Sequence, residues 1–322
     1  MGTESIEASF LSIFALISFF VFLLANKYSH KIREGILLDK DFLKPQAFHQ
    51  SAISRAGGLA GIISLNFFFI IYYLIYSKIL FDYIFICNLM FLIGFLDDVR
   101  TNISASKRLN LMIVFLFLII HFFSINILNI DILFLNTLLE NNIFSSLFVL
   151  LCFLFIINGA NLIDGFNGLL TIHLIIINSV LTYINMSSGN TEFSIFIIGQ
   201  IIILFSFLLF NFPSAKIFLG DSGSYLMGSL IALNVIETNN LNPDFSSFFF
   251  CIILFYLFFE VFFSFFRKII QKKSPLSPDN KHLHMLTFEK ISMIFGKVKG
   301  NYLNSILINL VNLILILPAF IF

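Results

Sequence analysis

Ten apolar runs dominate this chain of 322 residues. They cover roughly residues 8–25, 59–76, 83–96, 109–123, 144–157, 169–184, 193–212, 225–236, 245–266 and 302–322. A helix needs about 20 mostly apolar residues to cross the hydrocarbon core of a bilayer. The runs are continuous, which excludes a transmembrane barrel, whose strands alternate apolar and polar positions. Composition agrees: 59% of the residues are hydrophobic and 11% are charged, where soluble domains carry about 45–50% and 25%. This excludes a cytosolic enzyme, a disordered chain and a disulfide framework. The fold expected is all-α, a polytopic integral membrane protein of about ten transmembrane helices, with one domain over 1–322. Cys87, Cys152 and Cys251 lie inside apolar runs without ligand spacing and read as core residues. Glu4 and Glu7 precede the first run, where a cleavable signal would carry positive charge.

The basic residues give an orientation. Of the 19 Lys and Arg residues, 18 fall on alternate connections between the runs, and only Lys78 lies on the other side. Cytoplasmic loops carry the excess of Lys and Arg. The loops 26–58, 97–108, 158–168, 211–224 and 267–300 are therefore expected to be cytoplasmic, and both termini periplasmic. The net charge of +1 gives no reason to expect a nucleic-acid partner.

Four carboxylates, Asp97, Asp98, Asp164 and Asp221, sit at the inner ends of apolar runs. Ionised groups are costly at membrane depth, so four at one level ask for a shared cation or a water-filled cleft. For any one of them, a helix end reaching water explains the position equally well. Around Asp164 the chain reads Asn158, Asn161, Asp164, Gly165, Asn167, Gly168. Amides at three-residue steps followed by glycines make a poor helix and a poor linker. Glycine admits close backbone approach, and a helix opening near Gly168 offers free amides to an anion. Asp221 stands between Gly220 and Gly223 with Ser222 and Ser224 nearby. That oxygen-rich turn suits magnesium, which takes one or two carboxylates plus substrate phosphate; Asp221 or Ser222 could equally cap the next helix. The adjacent Asp97 and Asp98 repel unless a cation or a proton is shared, and Arg100, Lys107, Arg108 or a metal could supply the charge. His282 and His284, two residues apart, do not face the same way on a helix. With no cysteine nearby they suit phosphate, beside Lys281, better than zinc.

In this order the motifs resemble the polyprenyl-phosphate N-acetylhexosamine-1-phosphate transferases. That superfamily includes the phospho-N-acetylmuramoyl-pentapeptide transferases and the GlcNAc-1-phosphate transferases. The resemblance runs from His49 and Arg55-Ala-Gly57-Gly58 through Asp97-Asp98 and Asn158, Asn161, Asp164-Gly165. It continues through Phe218-Leu-Gly-Asp221-Ser-Gly-Ser to Ser277-Pro278-Asp279 and His282-Leu-His284. Asn167 stands where the family often has Asp, and Met285 where it often has His. Asp41 is kept, but Leu43, Gln46 and Ala47 replace the usual Pro and basic residues. These departures point to the polysaccharide branch.

The resemblance implies transfer of an amino-sugar-1-phosphate from a UDP-sugar to undecaprenyl or another polyprenyl phosphate, with release of UMP. The cofactor would be magnesium, with manganese as a substitute, and the active site would face the cytoplasm from the cell membrane. Asp221, then Asp164 with Asn161, would hold the metal. Asp97 and Asp98 would serve the lipid phosphate as base or metal support. His284, with His282 second, would bind phosphate. Gly165, Asn167 and Phe218 would form the uridine pocket, with Asn158, Lys281, His49 and Arg55 as further substrate contacts. A homodimer is left open. An ion- or proton-coupled transporter is the alternative, since intramembrane carboxylates also mark ion pathways. Transporters, however, show inverted repeats and breaks at mid-membrane, which this sequence lacks.

The charge pattern generates one test. A cysteine replacing Lys272 is expected to resist an impermeant thiol reagent in intact cells and to react after permeabilisation. Labelling from outside would reverse the orientation.

Overall fold

The computed structural model describes residues 3–29, 31, 36–39, 52–99, 101, 103–274 and 281–318. His49, Asp41, Arg100, Ser277, Pro278 and Asp279 lie outside the described residues. The chain forms twelve helices among those described: α1 (Thr3–Tyr28), α2 (Gly57–Tyr76), α3 (Phe81–Asp98), α4 (Ala105–Phe122), α5 (Leu133–Leu139), α6 (Asn142–Ile163), α7 (Leu169–Ser187), α8 (Thr191–Asn211), α9 (Gly220–Leu241), α10 (Ser247–Ile253), α11 (Phe255–Ile270) and α12 (Leu283–Ile316).

Within the described residues each of the ten apolar runs falls on helix, but not all these helices suit lipid equally. Six, namely α1, α2, α4, α6, α7 and α8, are long and apolar enough to cross a membrane. The pair α10–α11, bent by 72°, makes a seventh if counted as one span. Helix α3 carries Asp82, Asp97 and Asp98, and α12 is rich in Lys and Asn. Helix α9 is polar for a different reason. It packs against α2, α3, α6 and α7 and is buried along most of its length, so protein rather than lipid surrounds it. Its small residues allow that. Gly228 lies against Ile157 and Ala160 of α6, leaving no room for a side chain there. Where hydrophobic surface gives no net drive to associate, small residues and side-chain hydrogen bonds hold helices together.

One such network ties the centre. Asn234 of α9 donates to Asn178 of α7 at 3.0 Å and to Gln200 of α8 at 2.7 Å. Gln200 returns a bond to Asn234 at 3.2 Å. All three are buried.

Three features differ from the sequence reading. First, α6 runs through Asn158 and Asn161 to Ile163, so this stretch is helix rather than loop. Its Gly159 packs so closely on α11 that a Cβ would meet the Leu257 carbonyl oxygen at 2.7 Å, and tertiary packing thus overrides the weak helix propensity of Asn and Gly. Second, the fold is not wholly helical. Two short strands, β1 (Leu38–Asp39) and β2 (Ile53–Ser54), pair antiparallel, and Ser54 bridges in parallel to Ile217. Phe218 N donates to Ser54 O at 2.7 Å, and the amides of Gly57 and Gly58 donate to the carbonyls of Phe218 and Leu219 at 2.9 and 2.8 Å. These bonds fasten the first inner loop to the start of α9. Third, α12 is broken at Gly296, whose φ of 78° is open to glycine. Beyond the break the chain folds back: Asn304 donates to the His284 carbonyl at 2.8 Å, and Thr287 donates to Asn304 at 2.6 Å.

The buried amide triad should carry measurable stability. Asn234→Leu removes both donors and strands Gln200 and Asn178. A loss of about 1–3 kcal/mol is expected, the cost of leaving buried polar groups unsatisfied. Thermal unfolding in detergent checks it. An unchanged melting temperature would mean that water already serves these groups.

Candidate active site

The site is assembled at the N-terminus of α9. The first amides of a helix lack intrahelical partners, and here a neighbouring helix supplies the acceptor. Asp98, at the end of α3, takes Asp221 N on Oδ1 at 3.0 Å and Ser222 N on Oδ2 at 2.9 Å. The cap therefore comes from Asp98, and neither Asp221 nor Ser222 caps the helix. Gly220 makes this approach feasible. It has φ of 76°, and a Cβ there would lie 2.6 Å from the Asp98 carboxylate. Gly94 of α3 packs just as closely on the main chain of Asp221 and Ser222.

With its own helix capped from elsewhere, Asp221 is free to meet side chains. It accepts from Arg108 of α4 in a short ion pair and from Asn161 of α6 at 3.2 Å. Asn161 also donates to Ser224 Oγ at 2.9 Å. The Arg108 guanidinium reaches Asp97 as well, at 3.0 Å. Arg55 bonds Asp39 at 2.8 Å and lies 3.8 Å from Asp98. Asp164 follows the end of α6 and accepts no hydrogen bond from a described residue. Asp97, Asp98, Asp164 and Asp221 are thus brought together, as the sequence reading expected.

Among the described residues the charges do not balance: four carboxylates and Asp39 face the guanidinium groups of Arg55 and Arg108. Burial pushes Asp98 up to about 7, and the neighbouring Asp221 adds to it; the bonds from Ser222 and the charge of Arg55 pull the other way. Asp164 is also pushed up, by burial first and then by Asp221 and Asp98, with only Arg55 opposing. Burial works against the Arg55 charge, yet Asp39, with smaller contributions from Asp98 and Asp221, keeps it above its ordinary range.

This donor set fits a hard divalent cation. It is all oxygen and carries surplus negative charge, and Asn161 spends its amide nitrogen and keeps its carbonyl oxygen available. Among the described residues no three His, Cys, Asp or Glu side chains form a closed metal cage. That is compatible with magnesium, which keeps several positions for water and substrate phosphate.

The histidines form the second half. His282 precedes α12 in extended conformation, so it escapes the helical spacing that would turn it away from His284. The two rings stack at 5.4 Å, 4° from parallel. Their Nδ1 atoms both face Glu260 of α11, at 2.8 and 3.4 Å. His284 is buried, and its Nε2 edge faces Gly165, where a Cβ would lie 3.8 Å away. The Asp164–Gly165 turn therefore stands between the carboxylates and the histidines.

The remaining expected contacts are spread around this turn. The Asn158 amide donates to the Leu154 carbonyl one turn back, at 2.7 Å. Asn167 donates to the Pro213 carbonyl at 2.9 Å and takes its place in the loop through Asn301. Phe218 is half-buried between Ser54 and Gly57. Lys281 is exposed, and its carbonyl accepts from Arg267 at 2.5 Å. The start of α7 does not serve an anion: Gly168 N donates to Asn211 Oδ1 at 2.7 Å, Leu169 N donates to Phe166 O at 3.0 Å, and the following residues are buried.

Sequence reasoning missed Arg108 as the bridge between Asp97 and Asp221, and it missed Glu260. A signal for Glu260 was there: it is the one carboxylate inside the run 245–266, and an ionisable residue at membrane depth is a functional candidate by default.

Residues 80–239, which hold α3 to α9 and the whole carboxylate cluster, match the family model of glycosyl transferase family 4. Over this stretch, just under half of its length, the chain is similar to that family. It is 30% identical over 209 residues to an undecaprenyl-phosphate alpha-N-acetylglucosaminyl 1-phosphate transferase of Thermotoga maritima, covering 63% of this chain and 60% of the relative. It is 32% identical over 149 residues to a phospho-N-acetylmuramoyl-pentapeptide-transferase of Clostridium perfringens, covering 44% and 47%. The chain thus spans about half to three fifths of the length of these curated relatives.

The crowding of carboxylates predicts a gain on removing one. A carboxyl whose folded pKa is raised above its unfolded value of about 3.9 loses stability as pH climbs through that interval. Asp164→Asn, in metal-free buffer near pH 7, is therefore expected to melt higher than the parent and to lose less stability between pH 4 and 7. A lower melting point across that range would show that Asp164 is paired rather than repelled.

Proposed function

We propose that the protein transfers an N-acetylhexosamine-1-phosphate, or a related amino-sugar-1-phosphate, from a UDP-sugar to a polyprenyl phosphate such as undecaprenyl phosphate. UMP is released, and the product starts a lipid-linked cell-envelope polysaccharide. The observation that carries this reading is the convergence of Asp97, Asp98, Asp164 and Asp221 on Arg108, all in a segment that matches glycosyl transferase family 4, and on Arg55 from outside that segment, at one end of a membrane bundle. The activity named for the Thermotoga relative supports the GlcNAc type of reaction, and its match extends over more residues than that of the Clostridium relative.

In this reaction an oxygen of the lipid phosphate forms a bond to the β-phosphorus of the UDP-sugar. The bond from that phosphorus to the bridging oxygen breaks, and UMP leaves with the electron pair. Both partners are anions, so charge neutralisation and alignment are the main tasks, as in phosphoryl transfer generally. Magnesium, when bound, supplies Lewis-acid charge neutralisation at the diphosphate and the leaving group. Asp221 and Asp164, with the Asn161 carbonyl oxygen, would hold it. Asp98 keeps the start of α9, and hence Asp221, in register. Arg108 spans Asp97 and Asp221 and offers cationic donors to incoming phosphate, as Arg55 does from the other side. Asp97, half-buried on the same rim, is the carboxylate able to take a last proton from the lipid phosphate. His284 faces the sugar-phosphate side across Gly165. Gly165, Asn167 and Phe218 line the side proposed for uridine.

We place the bundle in the cell membrane with this end in the cytoplasm, both termini outside, and ten crossing helices. The basic loops support that orientation. Helix α9 as a protein-lined crossing, with α3 and the second half of α12, brings the count to ten. A homodimer is compatible with it.

Exchange of radiolabelled UMP into UDP-sugar, dependent on polyprenyl phosphate, tests the activity; a transporter gives none. Activity is expected to vanish with chelator and return with magnesium or manganese. Asp221→Asn is expected to lower turnover at least about 100-fold, a loss near 2.7 kcal/mol, while Glu237→Gln, at the far end of α9, leaves it near normal. Normal turnover in Asp221→Asn with an inactive Asp164→Asn would move the metal to Asp164.

A further inference from the structure

Glu260 lies in α11 within an apolar run, where an ionised side chain is costly. It is fully buried, and three of its contacts go to one short segment. Oε2 meets His282 Nδ1 at 2.8 Å, Oε1 accepts from Leu283 N at 3.0 Å, and Oε1 lies 3.4 Å from His284 Nδ1. Tyr256, one turn earlier on α11, puts its hydroxyl 3.2 Å from the same Nδ1 of His284. Tyr256 and Glu260 of α11 thus meet this ring at one nitrogen. The other, Nε2, is buried without a hydrogen-bond partner among the described residues and faces Gly165.

Which ring nitrogen carries the proton is set by what its counterpart faces. A carboxylate only accepts, so it selects the Nδ1–H form. Burial holds His284 below its ordinary range against the pull of Glu260, so the resting ring carries one proton and its location decides what Nε2 can do. We propose that Glu260 is a positioning residue: by accepting from Nδ1 of both histidines it fixes their planes and tautomer, so that His284 presents Nε2 to a phosphate bound beside Gly165. This rests on the reading of the site as one for sugar-phosphate transfer. A purely structural role would be to cap α12 through Leu283 N.

The two roles separate experimentally. Glu260→Gln keeps an oxygen at Oε1 that can accept from Leu283 N but replaces Oε2, the acceptor facing His282, with a donor. In the full chain labelled with 15N-histidine, His282 and His284, assigned by their absence in His282→Gln and His284→Gln, are expected in the Nδ1–H form. Glu260→Gln should move His282 to the Nε2–H form or a mixture and, because the acceptor the two rings share is altered, shift the His284 signals, with the melting temperature little changed. Turnover should fall roughly tenfold or more, the scale on which carboxylate partners of functional histidines act. The double variant should be no slower than His284→Gln alone, because residues acting as one unit are non-additive. A parent His284 in the Nε2–H form overturns the proposal without any variant. So does an unchanged spectrum in Glu260→Gln, or a double variant a further tenfold slower than His284→Gln. If the parent turns over no UDP-sugar, the transfer reading fails, while the spectra still decide the tautomer role.

Discussion

The bond pair from Asp98 to the first amides of α9 is the contact on which the rest depends. A buried helix start must find acceptors, and no water is at hand inside a bundle. Here the acceptor is a carboxylate on another helix. Satisfying α9 from outside leaves Asp221 available to Arg108 and Asn161. It also sets α3 and α9 at a distance that only Gly94 and Gly220 allow. One capping interaction thus fixes the helix pair, the orientation of Asp221 and the meeting point of four helices.

The same cap creates the electrostatic character of the site. Asp98 is a buried carboxylate with two donors on the main chain and a distant guanidinium. Its charge is felt by Asp164, which has no donor of its own among the described residues. Among the described residues the fold holds negative charge together at a cost to its own stability. A site that binds a cation and phosphates requires such a standing imbalance, because a fully paired cluster would offer them nothing.

The histidine half is organised by the same rule from the opposite direction. There, a buried acid in α11 receives the imidazoles and the amide of Leu283, and Tyr256 adds a hydroxyl. The break at Gly296 lets α12 fold back so that Asn304 holds the His284 carbonyl. Among the described residues the two halves meet at the Asp164–Gly165 turn, where small size matters because the His284 ring stands against it.

The apolar runs alone determined that the chain is helical and membrane-embedded. A bilayer leaves few ways to satisfy a backbone, and within the described residues every run proved to lie on helix. The order of the Asp, Asn and His motifs also identified the residues that meet at one end. Other features depended on distances along the fold that no local pattern encodes. Burial of α9 inside the bundle made its polarity a packing feature rather than a loop signal. Asn158 and Asn161 became helical because Gly159 fits against α11. The bridge made by Arg108 joins residues far apart in the chain. Glu260 was legible as an odd charge in an apolar run, yet its partners lie 22 to 24 residues away. Only the return of the chain at the start of α12 brings them within reach.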